Sequence, residues 1–389
     1  MHHPTRTARS ITLALCALML LTVALSGCRS DQTIKIGFVG QLTGSGAWVG
    51  QVAEIALKDR IDEINAAGGI NGYRLKLISY DSRSEVPDAV AAVKRLIEQD
   101  KVAAIIGPEW SAAAIPIAAI ADESQVPIIT TTATHVNVTV DEEGDVHPYM
   151  FRVCFIDPYQ GYALADFAYR ELGARKAAFI TDVASPYSVG IQDFFEAQFS
   201  ELGGEIVAKE GYQSNDQEFR AQISNVMQTD ADLLVIPTAQ YRDAALIARQ
   251  GVDLGLDIQY LGVDGWVANE LLDMAGAELE GAYLSSGVST ESPEFADYNA
   301  QFEAKHGKKA TVFAYYALDA LALLEHAIGI AGPDREGIRD ALENAVDVPA
   351  FSSNITIEPD THNPHNKPIV VMQIRDSQWQ IVKTYSPGE

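Results

Sequence analysis

Ser111 holds the position in this chain best suited to meeting an anion. It follows the apolar run KVAAIIG at 101–107 and opens a helical segment without an acid until Asp122. A hydroxyl beside the free N–H groups of a helix start suits a carboxylate, and the same placement also serves as a simple N-cap. Thr134 follows the next strand and offers a second hydroxyl. Thr132 offers its backbone, and we place Thr134 ahead of it; local turn bonding is the structural alternative for both. Trp110, next to Ser111, reads as an apolar wall for the same spot. Asp264 ends the strand-like run QYLGVD, where an acid receives a cation or caps a turn. Trp48 and Trp266 lie in comparable loops, where packing is at least as common as ligand contact.

Other chemistry is weaker. Gly44-Ser45-Gly46 after the first strand resembles a dinucleotide fingerprint, but Val49 stands where the third glycine belongs and Asp81 lies too far downstream. No G-x-S-x-G, P-loop or H-E-x-x-H occurs. His362 and His365 sit beside Pro364 and Pro368; of a metal site and a solvated turn, the turn is preferred because no cysteine or third histidine is near, and neither metal nor cofactor is expected. Cys154 reads as packing rather than as a nucleophile.

Alternating strands and helices position these residues. Ile34, Ile36 and Phe38 alternate with Lys35 and Gly37, a strand pattern, and Ala53, Leu57, Ile61 and Ile64 then form one helical stripe. Strands are expected at 74–81, 101–107 and 126–131, with helices at 87–99 and 111–124. A second series runs from helix 160–172 to strand 258–262. Residues 293–346 read as helical, and 355–357, 369–374 and 378–385 as strands. Two series of βα units predict an α/β protein of two doubly wound, parallel-sheet lobes. In such sheets ligands sit outside the carboxyl ends of the strands.

Composition bounds the partners. The 389 residues carry 53 acids against 28 bases, a formal net charge of −25, which repels nucleic acid and anionic lipid. Residues 1–10 carry Arg6 and Arg9 and no acid, and the apolar run ITLALCALMLLTVAL follows at 11–25. That length makes a secretory signal and is short for a spanning helix. It ends Leu25-Ser26-Gly27-Cys28, which resembles a bacterial lipobox and implies lipid on Cys28. Residues 1–27 are then a signal peptide and 28–33 an anchor linker. No later stretch reads as long and apolar enough to span a membrane.

The stretches IKIGFVGQLTGSGAWVG, EINAAGGINGYRLKLISYDS, VAAIIGPEWSAAAIP, VPIITTTAT, FRVCFIDPYQG and YLGVDG occur in this order. Together they resemble the leucine/isoleucine/valine-type solute-binding proteins of bacterial ABC transporters, from Ile34 to Tyr385. The resemblance implies the type I periplasmic binding protein fold, with three crossover strands near residues 152, 284 and 350. Lobe 1 is then 34–152 plus 284–350, and lobe 2 is 153–283 plus 351–389. It also implies a monomeric, lipid-anchored, extracytoplasmic binder that is not an enzyme and delivers a branched-chain or related amino acid to a permease.

By that resemblance Ser111 and Thr134 take the ligand's carboxylate, Asp264 takes its ammonium, and Tyr187 covers it. Gln240 or Tyr241 contributes as well; the alignment slips by one residue there and leaves both open. The best-known members carry a lobe 1 disulfide with a cysteine at the place of Trp110, and Ser82–Glu85 supplies no partner here. An aromatic acid, a small amide or another amino acid therefore stays open as ligand, and a sensor of the same fold as role.

Overall fold

The computed structural model describes residues 32–365 and 367–386. Cys28 and the leader lie outside the described residues.

Two sheets organise the chain. The first is built from β1 (Thr33–Gly40), β2 (Arg74–Asp81), β3 (Ala104–Ile106), β4 (Ile128–Thr130) and β5 (Met150–Arg152), in the order β2-β1-β3-β4-β5 and parallel throughout. Strands β3, β4 and β5 are buried at every residue, as strands covered on both faces must be. Helices α1 (Ala47–Ala66), α2 (Val86–Arg95) and α3 (Ser111–Ser124) cover this sheet. The stripe Ala53, Leu57, Ile61 and Ile64 lies on the buried face of α1, with Val49, Val52 and Ala56 beside it.

The second sheet follows α4 (Asp157–Arg170). Its strands are β6 (Lys176–Asp182), β7 (Glu205–Tyr212), β8 (Leu233–Val235), β9 (Gln259–Gly262), β10 (Tyr283–Ser286), β11 (Ile369–Arg375) and β12 (Gln378–Tyr385). Their order is β12-β11-β10-β9-β8-β6-β7. The body is parallel, while β11 and β12 add an antiparallel edge. Helices α5 (Pro186–Glu201), α6 (Arg220–Val226), α7 (Tyr241–Leu254) and α8 (Asn269–Ala275) lie between its strands in sequence. The architecture is therefore α/β with two doubly wound units.

After β10 the chain returns to the first unit with α9 (Ala296–His306), α10 (Val312–Ala331) and α11 (Arg335–Glu343). All four residues of β10 pair within the second sheet, so residue 284 falls inside that strand. Helix α10 packs against α1 and α11.

Three expectations change. Residues 355–357 form only isolated bridges, Val348 with Ile355 and Ile357 with Pro364. Helix α10 has the length and apolar composition to cross a membrane, contrary to the sequence reading, yet 72% of that span is buried. Its apolarity comes from contact all round inside the first unit. His362 is fully buried rather than solvated and stacks on Phe151 at 4.1 Å. His365 instead pairs with Glu358 at 2.7 Å. Among the described residues no group of three or more His, Cys, Asp or Glu side chains is placed to hold a metal.

Candidate functional site

The carboxyl ends of both sheets face one cavity of about 650 Å³, with Trp110, Ser111 and Thr132 on one side and Tyr187, Gln240 and Asp264 on the other. Strand ends and helix starts converge there because each βα turn returns its chain at the same edge of the sheet.

Ser111 is the first residue of α3, with Trp110 at the cap position and no acid in the first turn. Its Oγ accepts the His135 N–H at 3.3 Å, which leaves the hydroxyl proton free to donate. Thr132 lines the cavity but spends its own proton on the Glu109 carbonyl at 2.5 Å. Thr134 corrects the sequence order of preference: it is fully buried, does not line the cavity, and its carbonyl accepts the Asp157 N–H at 3.0 Å. Arg152, fully buried, holds this loop by donating to the carbonyls of Ala133 at 3.0 Å and His135 at 2.9 Å.

Asp264 opens a short 3₁₀ turn, Asp264–Trp266, just beyond β9. Tyr187, in the first turn of α5, donates its hydroxyl to Asp264 Oδ1 at 2.5 Å. Gln160 of α4 donates Nε2 to the same oxygen at 2.7 Å and to Ser285 Oγ at 2.8 Å. Both side-chain bonds fall on Oδ1. Burial pushes the Asp264 carboxyl above the usual carboxylate range, while Tyr187 and Gln160 pull it back. Gln160 carried no assignment in the sequence, although it stands in the quoted stretch FRVCFIDPYQG. Its signal was a glutamine on the buried face of a helix that opens directly after a strand.

Of the alternatives at the start of α7, Gln240 lines the cavity and Tyr241 does not. Tyr241 instead meets Trp48 edge-on at 5.2 Å, and Trp48 meets Phe313 at 4.8 Å. Trp48, which lines the cavity, thus links α1 of the first unit to α7 of the second. Trp266 is fully buried and donates Nε1 to the Ile236 carbonyl at 3.1 Å, so it is packing. Cys154 is buried at the inter-lobe passage, and burial pushes its thiol up to about 12, which removes it as a nucleophile at neutral pH.

Sequence reading also missed Glu109, two residues before Ser111. It lines the cavity and is buried; its Oε2 accepts the Gln41 N–H at 2.9 Å. Burial pushes this carboxyl up to about 8 against the pull of the Gln41 amides. An acid inside the otherwise apolar stretch AIIGPEW was the available signal.

A family model described as "Periplasmic binding protein" matches residues 33–378. The chain belongs to the periplasmic binding protein family. Among relatives of this periplasmic binding protein, an "Amino acid binding protein" of Pseudomonas aeruginosa is 30% identical over 305 residues, 77% of this chain and 80% of the relative. Two solved structures resemble it more fully. One is a leucine binding protein of Thermotoga maritima, at 32% identity and TM-score 0.83, covering 91% of this chain and 99% of that one. The other is a branched-chain amino acid transporter substrate binding protein of Streptococcus pneumoniae in complex with isoleucine, at 30% identity and TM-score 0.84, covering 92% and 100%. The chain is a solute-binding protein of the branched-chain amino acid ABC transporter type and not an enzyme. Its family works outside the cytoplasm with small amino-acid ligands and ABC permeases.

Proposed function

We propose that this periplasmic binding protein clamps one α-amino acid between lobes 34–152 plus 284–350 and 153–283 plus 351–389. The observation that carries the reading is that Ser111 and Asp264 face one cavity from different sheets. The ligand's carboxylate takes the free Ser111 hydroxyl and the N–H groups at the start of α3. Its ammonium takes Asp264, which Tyr187 and Gln160 hold in place. A zwitterion therefore joins the two lobes, and either charge alone would hold only one of them.

Charge-assisted hydrogen bonds contribute about 1.5–3 kcal/mol each. Burial of an apolar side chain adds about 1.5–3 kcal/mol, and ordering costs are subtracted from the total. Trp48, Trp110 and Phe313 supply the apolar wall on which a branched-chain or related side chain would lie. The closed form is the one a permease would recognise, and lipid on Cys28 would hold the protein at the membrane.

Titration calorimetry of the purified chain against a panel of amino acids and nicotinamide dinucleotides tests this. Amino acids bind and dinucleotides do not; the reverse result would return the site to the dinucleotide reading of Gly44-Ser45-Gly46.

A further inference from the structure

An aliphatic ligand leaves Glu109 unexplained. The residue is 3% exposed and lines the cavity. Oε2 accepts the Gln41 N–H, and Oε1 has no hydrogen-bond partner. A buried carboxyl oxygen without a donor is unfavourable unless something else supplies one. The remaining wall deepens the need. Glu85, Asp182, Asp243 and Asp264 also line the cavity, and among the described residues Arg242, which is exposed, is the only basic one that does.

Three of those acids are already engaged within the protein. Asp182 accepts the Ser214 hydroxyl and the Ala184 N–H. Asp243 accepts the hydroxyls of Tyr212 at 2.8 Å and Thr238 at 3.1 Å. Asp264 is held by Tyr187 and Gln160. Glu109 is the buried acid of the wall with an unmatched oxygen, and it stands in a region where every engaged acid adds negative potential.

We propose that the ligand's side chain ends in a cation that Glu109 receives, so that the site selects a basic amino acid over a branched-chain one. The inference rests on the amino-acid reading above and names its side chain. Glu109 lies in the loop between β3 and α3 and Ser111 opens α3, so the α-carboxylate and the side-chain cation meet the same lobe while the α-ammonium meets the other. The aliphatic stem of a lysine-like side chain suits the Trp48, Trp110 and Phe313 wall, as long basic side chains bury their stems on apolar surface. Burial holds the empty Glu109 largely protonated at neutral pH, and an arriving cation draws that proton off.

Calorimetry on the full chain compares L-lysine, L-ornithine and L-arginine with L-leucine, L-isoleucine, L-glutamine and L-norleucine, the last being lysine without its ammonium. At least one basic amino acid binds tenfold or more tighter than leucine and norleucine. Glu109→Gln weakens that ligand tenfold or more, and Glu109→Leu turns the preference toward leucine. The wild-type ranking needs no variant to fold. Leucine, isoleucine or glutamine binding tighter than all three basic amino acids overturns the Glu109 assignment and leaves amino-acid binding standing. Absence of heat with every amino acid overturns both.

Discussion

Replacing Asp264 by Asn removes one charge from the cavity and leaves the side chain's size unchanged. In the native site Tyr187 and Gln160 both donate to Oδ1, at 2.5 and 2.7 Å, which fixes the carboxylate before a ligand arrives. The substitution converts the ligand ammonium's partner from a carboxylate to an amide. Losing a charge-assisted bond of about 1.5–3 kcal/mol predicts roughly a 10- to 150-fold weaker Kd. Calorimetry with the tightest amino acid of the panel, at pH 7, reads this directly. A pH series adds a second readout. Burial raises the Asp264 carboxyl, so in the empty site it takes up a proton at a higher pH than an exposed aspartate does. A ligand ammonium needs the ionised form, so native affinity is full above that raised pKa and falls as pH drops through it. Asp264→Asn loses this acid limb. Tyr187→Phe, which removes a bond favouring the ionised form, shifts the limb to higher pH. An Asp264→Asn variant within twofold of native affinity, with the native pH profile, would refute the ammonium role.

The ligand-free chain carries a stability signature of its own. Burial pushes both Glu109 and Asp157 up to about 8, so each binds its proton more tightly folded than unfolded. Their contribution is full below the unfolded range near 4 to 4.5 and is lost as pH rises to about 8; thermal melts show a shallower decline for Glu109→Gln. At Gly190 a Cβ would lie 3.0 Å from Asp157 Oδ2 and 3.2 Å from His135 Cδ2, where α5 meets the first lobe. Gly190→Leu is expected to prop the lobes apart, weakening ligand binding tenfold or more and enlarging the radius of gyration in solution scattering. Palmitate labelling in a bacterial host is expected to depend on Cys28 and to vanish in Cys28→Ala; labelling that persists removes the anchor.

The strand-end positions were legible because period-two and helical patterns locate the turns between strands and helices. Ser111 follows a short continuous apolar run, the mark of a strand covered on both faces, and Asp264 ends the strand-like run QYLGVD. Residues beyond the last paired position are harder. After Thr130 the chain leaves the β4 ladder, so alternation no longer says which of Thr132 and Thr134 faces the cavity. The same loss of register separates Gln240 from Tyr241, which stand just after a strand and at a helix start. Gln160 and Glu109 were passed over because the partners that define them come from distant segments: Asp264 is 104 residues from Gln160, and Gln41 is 68 from Glu109. His362 was misread for the same reason. Its flanking prolines suggest a turn, and only the fold stacks it on Phe151.

The central claim is that one dipolar molecule joins two lobes, and a crystal structure of the chain with the tightest amino acid of the panel tests it most directly. The account predicts the carboxylate on Ser111 Oγ and the first N–H groups of α3, with the ammonium on Asp264. A ligand bound to one lobe alone, or seated with its ammonium at Ser111, would contradict it.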